Sequence, residues 1–229
     1  MSTTVAFDFE QARFNMIEQQ IRPWEVLDAR VLALLSQIKR EQFVPEPLQH
    51  LALADLEIPL SHTPGECMLP PKAEARALQD LDIQPHHTVL EIGTGSGYMA
   101  ALMASLGHSV TTLDINPTLA TQAQTNLQAA GIANAKVVTA DAAANDFAAC
   151  KALGSFDAIV LSGSVAQVPQ ALVDLLKPNG RLFAIVGNAP IMRATLIERT
   201  GPNSVHTLQP WDFAAPRLRN FPEPSSFQF

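Results

Sequence analysis

The chain has 229 residues, 47% hydrophobic and 16% charged, with a formal net charge of −7. Such a composition suits one globular α/β domain with a sizeable core, and no stretch approaches the roughly 18 uninterrupted apolar residues that a membrane span requires. The 15 lysines and arginines are scattered, never three together, which argues against a nucleic acid phosphate backbone as partner.

Met1–Glu10 lacks a basic stretch followed by an apolar core, so no secretory leader is expected. Phe14, Ile17 and Ile21 recur at helical spacing until Pro23 ends the run. Asp28 reads as the N-cap of a second helix whose apolar face is Val31, Leu32, Leu34, Leu35 and Ile38. Six prolines between Phe43 and Pro71 exclude a long helix there, and a further helix is expected from Lys72 to about Leu81. From His87 to Gly187 strands and helices alternate. The strands are Thr88–Ile92, Ser109–Leu113, Lys136–Thr139, Phe156–Leu161 and Arg181–Val186, and the helices include Tyr98–Leu106 and Pro117–Ala130. That alternation predicts a parallel sheet covered on both faces. Arg193–Arg199 and Ser204–Phe213, on either side of Gly201-Pro202-Asn203, predict an antiparallel hairpin at the sheet edge, and Pro222–Ser226 a frayed tail. The domain expected is thus one unit: an extension over residues 1–85, a binding core over 86–187, and a hairpin with tail over 188–229.

The most informative stretch is Val89-Leu90-Glu91-Ile92-Gly93-Thr94-Gly95-Ser96-Gly97-Tyr98, a buried strand running through Gly-x-Gly-x-Gly into a helix. Such a turn bares backbone N–H groups to a ligand at the carboxyl end of the first strand. A dinucleotide site wants its third small residue one position later, where this chain has Tyr98. The loop instead suits S-adenosyl-L-methionine (SAM), which has no pyrophosphate. Asp114 closes the next strand, where an acid meets ribose hydroxyls, and Asp141 closes the third, where a carboxylate meets an adenine amino group. Singly, Glu91 reads as a strand-end charge, Asp114 as a helix N-cap and Asp141 as a turn residue; their order at successive strand ends favours the cofactor reading. The residues expected to bind SAM, and its product S-adenosyl-L-homocysteine, are Glu91, Gly93, Thr94, Gly95, Ser96, Gly97, Tyr98, Asp114, Ile115, Asp141, Ala142 and Leu161.

Leu90–Tyr98 resembles the SAM loop of the protein-L-isoaspartate O-methyltransferase family residue for residue. Leu176-Lys177-Pro178-Asn179-Gly180-Arg181-Leu182 resembles that family's LKxGGRL, Phe43-Val44-Pro45 and Gln20–Leu27 its N-terminal helices, and Asp55 with Pro59-Leu60 its DxPLPIG segment. The resemblance implies a Rossmann-like doubly wound sheet and a cytoplasmic enzyme of protein repair, which esterifies abnormal aspartyl carboxylates in proteins. Three segments depart from the pattern. GQTIS-x-P stands here as Gly65-Glu66-Cys67-Met68-Leu69-Pro70-Pro71, with no serine or threonine between Thr63 and Thr88; GDG stands as Ala140-Asp141-Ala142; VTAA stands as Leu161-Ser162-Gly163-Ser164.

A carboxylate is already a nucleophile and a sulfonium already activated, so positioning and partial desolvation carry the chemistry, and losing one hydroxyl changes the acceptor more than the reaction. No catalytic residue is singled out. His62, Glu66, Cys67, Met68, Leu69 and Ser162 are the candidates for lining the acceptor pocket. Cys67 has no base beside it and, like Cys150, reads as a free thiol in a reduced compartment. No His/Cys/Asp spacing reads as a metal site, Trp24 and Trp211 read as packing residues, and the NPPY stretch of amino-group methyltransferases is absent. The acceptor expected is a protein or peptide carboxylate. A small-molecule carboxylate or hydroxyl, and a SAM-binding protein without activity, are the alternatives.

Overall fold

A computed structural model of the chain describes residues 7–202 and 204–224. Helix α1 (Phe9–Met16) is capped by Asp8, which accepts the Gln11 N–H, and continues through a wide turn at Ile17–Ile21 and a tight one at Arg22–Trp24, where Pro23 stops it. Its inner face is Arg13, Met16, Ile17 and Ile21. Phe14, expected on that face, is 60% exposed, because the ion pair of Arg13 with Glu41 turns the neighbouring row inward. Helix α2 (Ala29–Gln37) begins at Asp28, which accepts the Arg30 N–H, and buries Val31, Leu32, Leu34 and Leu35. The proline-rich stretch forms two 3-10 turns and a ribbon of two short antiparallel strands, β1 (Ile58–Pro59) and β2 (Cys67–Met68). Helix α3 (Pro71–Leu81) follows, with proline in its first turn, where a missing N–H costs nothing.

The remaining strands are β3 (Thr88–Ile92), β4 (Ser109–Asp114), β5 (Ala135–Thr139), β6 (Phe156–Val165), β7 (Leu176–Asn188), β8 (Ile191–Gly201) and β9 (Ser204–Asp212). They form one seven-stranded sheet in the order β5-β4-β3-β6-β7-β8-β9. The strands β3 to β7 are parallel, and β7-β8-β9 are antiparallel. This is the expected doubly wound sheet with a C-terminal edge hairpin. Asn203, in the expected turn of that hairpin, and Ser225 and Ser226, in the expected tail, lie outside the described residues. Helices α4 (Tyr98–Leu106), α5 (Pro117–Ala129), α6 (Ala144–Ala152) and α7 (Gln170–Val173) make the crossovers. None of the described helices is long and apolar enough to cross a membrane.

The reversal of strand order between β3, which neighbours β4 on one side and β6 on the other, opens a crevice at the strands' carboxyl ends, where ligands of open α/β sheets bind. Two features close over it. One is the β1–β2 ribbon. The other is the segment after β9, which returns along β6: the Ser164 N–H donates to the Pro216 carbonyl at 2.7 Å, and the Leu218 N–H donates to the Ser164 carbonyl at 2.9 Å. Phe221 is buried against Phe147. Residues 216–221 are therefore a fastened strap leading into the expected tail.

Candidate functional site

The glycine loop leaves β3 with its backbone in the left-handed region at all three glycines, but the three do different work. A Cβ on Gly97 would lie 3.2 Å from the Ala123 carbonyl and 3.3 Å from the Ala123 Cβ. Gly97 thus lets α4 press against α5, and its missing side chain faces that helix and not the crevice. Tyr98 is likewise drawn inward: it is 1% exposed, its ring meets Phe43 edge-on, and the Arg40 guanidinium lies 4.8 Å from its centroid. Gly93 and Gly95 are the two that line the crevice, with Leu218 and Leu60 packed over them.

The three strand-end acids differ in surroundings. Glu91 is fully buried on β3 and accepts from the Thr112 and Ser162 hydroxyls at 2.7 and 2.8 Å. Burial pushes its carboxyl up to about 8, against the opposing effect of those two hydroxyls. Between about pH 4.5 and 8 the folded chain therefore holds a proton that the unfolded chain has lost, and stability falls as pH rises, by at most about 1.4 kcal/mol per pH unit for this one group. Glu91→Gln, which removes the titration and retains both partners, is expected to flatten that slope. Denaturation midpoints at pH 5, 6, 7 and 8 check it, and parallel profiles for the two proteins would refute it.

Asp114, at the end of β4, is 7% exposed. Its Oδ2 accepts the Gly95 N–H and its Oδ1 the Asn116 N–H, both at 2.9 Å, so it braces the glycine loop and still has lone pairs facing the crevice. Burial, its largest influence, raises its pKa. The cap of α5 is Asn116, which accepts the Thr118 N–H, so Asp114 is not an N-cap. Asp141 accepts the Ala143 N–H at 3.0 Å, as a turn residue does, and also the Asn220 amide at 2.7 Å.

Three cavities border the loop: one of about 450 Å³ reaching from Gly95 and Ser96 to Phe43, Val44 and Pro45, and, on the crevice side, a pair that share lining residues. The larger of the pair, about 100 Å³, is lined by Gly93, Gly95, Asp114, Ile115, Asp141 and Ala142 from the predicted set, and by Leu119, Leu218 and Phe221 besides. The smaller, about 40 Å³, lies on the α3 side, with Glu91, Thr94, Ser96, Tyr98 and Leu161 of that set in its wall together with Met68 and Leu69. Cys67, Gly93, Gly95 and Ser162 belong to both linings, which marks where the two spaces join.

Of the acceptor-side candidates, Cys67, Met68, Leu69 and Ser162 line the small cavity. Glu66 faces the larger one, drawn there by Asn116 and Arg219, and His62 is exposed and lines neither. The Cys67 thiol donates to Glu57 at 3.6 Å, and burial, with Glu57 beside it, pushes it up to about 12. It is therefore held as a thiol and not as a nucleophilic thiolate. Trp24 and Trp211 pack together edge-on with Phe213, their role as packing residues. Sequence reasoning missed Asn116, Leu218, Arg219, Asn220 and Phe221. Only Asn116 carried a signal, as the residue before Pro117 at a helix start.

Comparison with known proteins agrees over most of the chain. The family model of protein-L-isoaspartate(D-aspartate) O-methyltransferase matches residues 11–209. A protein-L-isoaspartate O-methyltransferase of Herpetosiphon aurantiacus is 35% identical over 195 residues, which is 85% of this chain and 84% of that one. Another, from Methanoculleus marisnigri, is 38% identical over 175 residues, 76% and 77% of the two chains. Among solved structures, a Plasmodium falciparum protein-L-isoaspartate O-methyltransferase in complex with S-adenosyl-L-homocysteine superposes with a TM-score of 0.72 at 22% identity, covering 92% of this chain and 99% of that one.

Proposed function

The chain belongs to the protein-L-isoaspartate(D-aspartate) O-methyltransferase family, and from that premise we propose that it transfers the methyl group of SAM to the carboxylate of an abnormal aspartyl residue in damaged proteins. The observation that carries this reading is the junction of the two cavities: the cleft with the strand-end acids and the small chamber meet at Gly93, Cys67 and Ser162.

The residues of the larger cleft fit an adenosyl ligand. Ile115, Leu119, Ala142 and Phe221 offer apolar walls to a flat base, while the Asp114 carboxylate would accept from a ribose diol and Asp141 from the amino group of the base. SAM supplies, when bound, a methyl group on a sulfonium that a carboxylate oxygen displaces in line, the new C–O bond forming as the S–C bond breaks. The chain's own part is binding, orientation and exclusion of water. Asp114 holds both the ribose and, through the Gly95 N–H, the loop beneath it. The small chamber is apolar on most sides, walled by Met68, Leu69, Met99, Val160, Phe183 and Trp211. One water needs roughly 10–15 Å³ by this measure, so a space of about 40 Å³ admits a side-chain-sized fragment and not a folded segment. A peptide therefore presents its carboxylate from outside, to the Ser162 side of the junction. The cytoplasm is the proposed compartment, a reducing one that suits the free thiols Cys67 and Cys150.

One observation favours a second acceptor, a small carboxylate. Leu69 stands where the family pattern has serine, and it faces the chamber. Labelled-methyl transfer decides between the two. Base-labile label on an isoaspartyl peptide, at a rate near that of an ordinary family member, is the expected result. Label on small carboxylates alone would establish the second reading, and no transfer to either would refute both. By calorimetry Asp114→Ala is expected to weaken binding of S-adenosyl-L-homocysteine by about 1.5–3 kcal/mol, the scale of charged hydrogen bonds. Unchanged affinity would remove Asp114 from the site.

A further inference from the structure

The strap occupies ground that the family match does not reach, since that match ends at residue 209. Its base is secured independently of the crevice. Arg217 donates to the Gly187 carbonyl at 3.0 Å and to Asn188, and pairs with Glu223 at 3.0 Å, while Ser164 binds the backbone on either side. Its middle lies on the glycine loop: the Leu218 Cδ2 is 3.1 Å from where a Gly93 Cβ would stand and 2.9 Å from that of Gly163. A ligand bound against Gly93 in the larger cleft therefore has the strap beside it, Leu218 and Phe221 being part of that cleft's wall.

Beyond Leu218 the strap crosses the cleft and is held by two side-chain bonds, Asn220 to Asp141 and Arg219 to Glu66. The second joins parts of the chain that no strand or helix connects. Glu66 Oε1 accepts from Arg219 at 2.7 Å, both its oxygens accept from the Asn116 amide at 3.1 and 2.9 Å, and Oε2 accepts from the Ser61 hydroxyl at 2.5 Å. The Glu66 side chain is 8% exposed and Arg219 47% exposed. One carboxylate thus ties the ribbon loop, the β4–α5 connection beside Asp114, and the strap. Among the described residues Arg219 is the cation paired with it. The resembled family's pattern has glutamine at this position. An amide keeps the bond to Asn116 but loses the ion pair, so the acid has its purpose in the arginine of the strap.

We propose that Arg219 and Glu66 form a clasp across the mouth of the cleft, and that its opening sets how fast the cofactor and its demethylated product leave. The proposal rests on the reading of the cleft as an adenosyl site. With one partner half-exposed, the pair is screened by solvent and cheap to part, which suits a fastening that must open each turnover.

The test uses the full chain with S-adenosyl-L-homocysteine as probe. Arg219→Glu is expected to release it about tenfold faster, which is about 1.4 kcal/mol off the barrier to release, while Arg219→Lys behaves as wild type. Amide exchange without ligand is expected to rise together in residues 58–68 and 216–221 of Arg219→Glu. An unchanged release rate overturns the proposal, and so does exchange that rises in the strap alone, because the clasp would then not couple the two segments. Wild-type protein that never binds the probe overturns the retention role together with the cofactor reading. That failure is recognisable because the paired rise in exchange would remain.

Discussion

Gly95→Val is expected to remove measurable binding of S-adenosyl-L-homocysteine while leaving the fold in place. Gly95 has φ +53°, and its missing Cβ would lie 3.2 Å from the tip of Leu60. A left-handed conformation at a non-glycine residue costs about 1–3 kcal/mol, and a β-branched side chain sits at the unfavourable end of that range. That cost is affordable to the sheet, whose strands do not depend on this residue. The ligand has no such latitude. Gly95 lines both crevice cavities and gives its N–H to Asp114, so two added methyl groups, carried on a Cβ that faces Leu60 in the wall of the larger cleft, crowd that cleft and the relaxed backbone turns the N–H away from its carboxylate. Calorimetry of the folded variant checks this, and affinity within tenfold of wild type would place the ligand elsewhere.

The largest effect on stability is expected at Glu74→Ala, a loss of about 3–5 kcal/mol, the cost of leaving a buried charge without its partner. Arg40 is 0% exposed and ion-paired with Glu74, donates to the Ala52 and Leu69 carbonyls at 2.9 and 2.6 Å, and rests on the Tyr98 ring. Burial raises the Glu74 pKa even against the attraction of Arg40, which shows how costly this position is for an ion. Replacing both residues, as in Arg40→Met with Glu74→Leu, is expected to recover part of the loss, because it removes both charges and leaves only the Ala52 and Leu69 carbonyls without their donor. Denaturant midpoints of the single and double variants measure the difference, and a single-variant loss under about 1 kcal/mol would mean that water reaches Arg40.

The features legible in the sequence are those specified by neighbours along the chain. Thr88–Ile92 is rich in β-branched residues, apolar but for Thr88 and Glu91, and runs into glycines, and α5 announces itself by Asn116 before Pro117; both elements stand where the pattern puts them. Helix α6 escaped notice because Ala144–Ala152 is alanine-rich and has no apolar stripe. The edge hairpin was readable as two runs around a turn, but nothing local announced that β8 also pairs along β7. At the site, Asp114 was visible as an acid at a strand end. Its partners were not, because Gly95, Asn116 and Glu66 converge only when three loops meet. Gly97 shows the opposite error: it belongs to the motif, yet its lack of a side chain serves the contact with α5. Phe14, at helical spacing from its neighbours, faces outward because a buried arginine chose the face.

The placement of β3 between β4 and β6 has a kinetic consequence. The antiparallel end of the sheet joins strands a few residues apart, β7 ending at Asn188 and β8 beginning at Ile191, so those contacts close short loops and are cheap in chain entropy. The centre must instead bring Val89 beside Ala158, across three crossover helices and two strands, and pairings so distant in the chain are slow. Ser162 is delivered to Gly93 only by that pairing, so the place where the two cavities join is among the last parts of the molecule to be assembled.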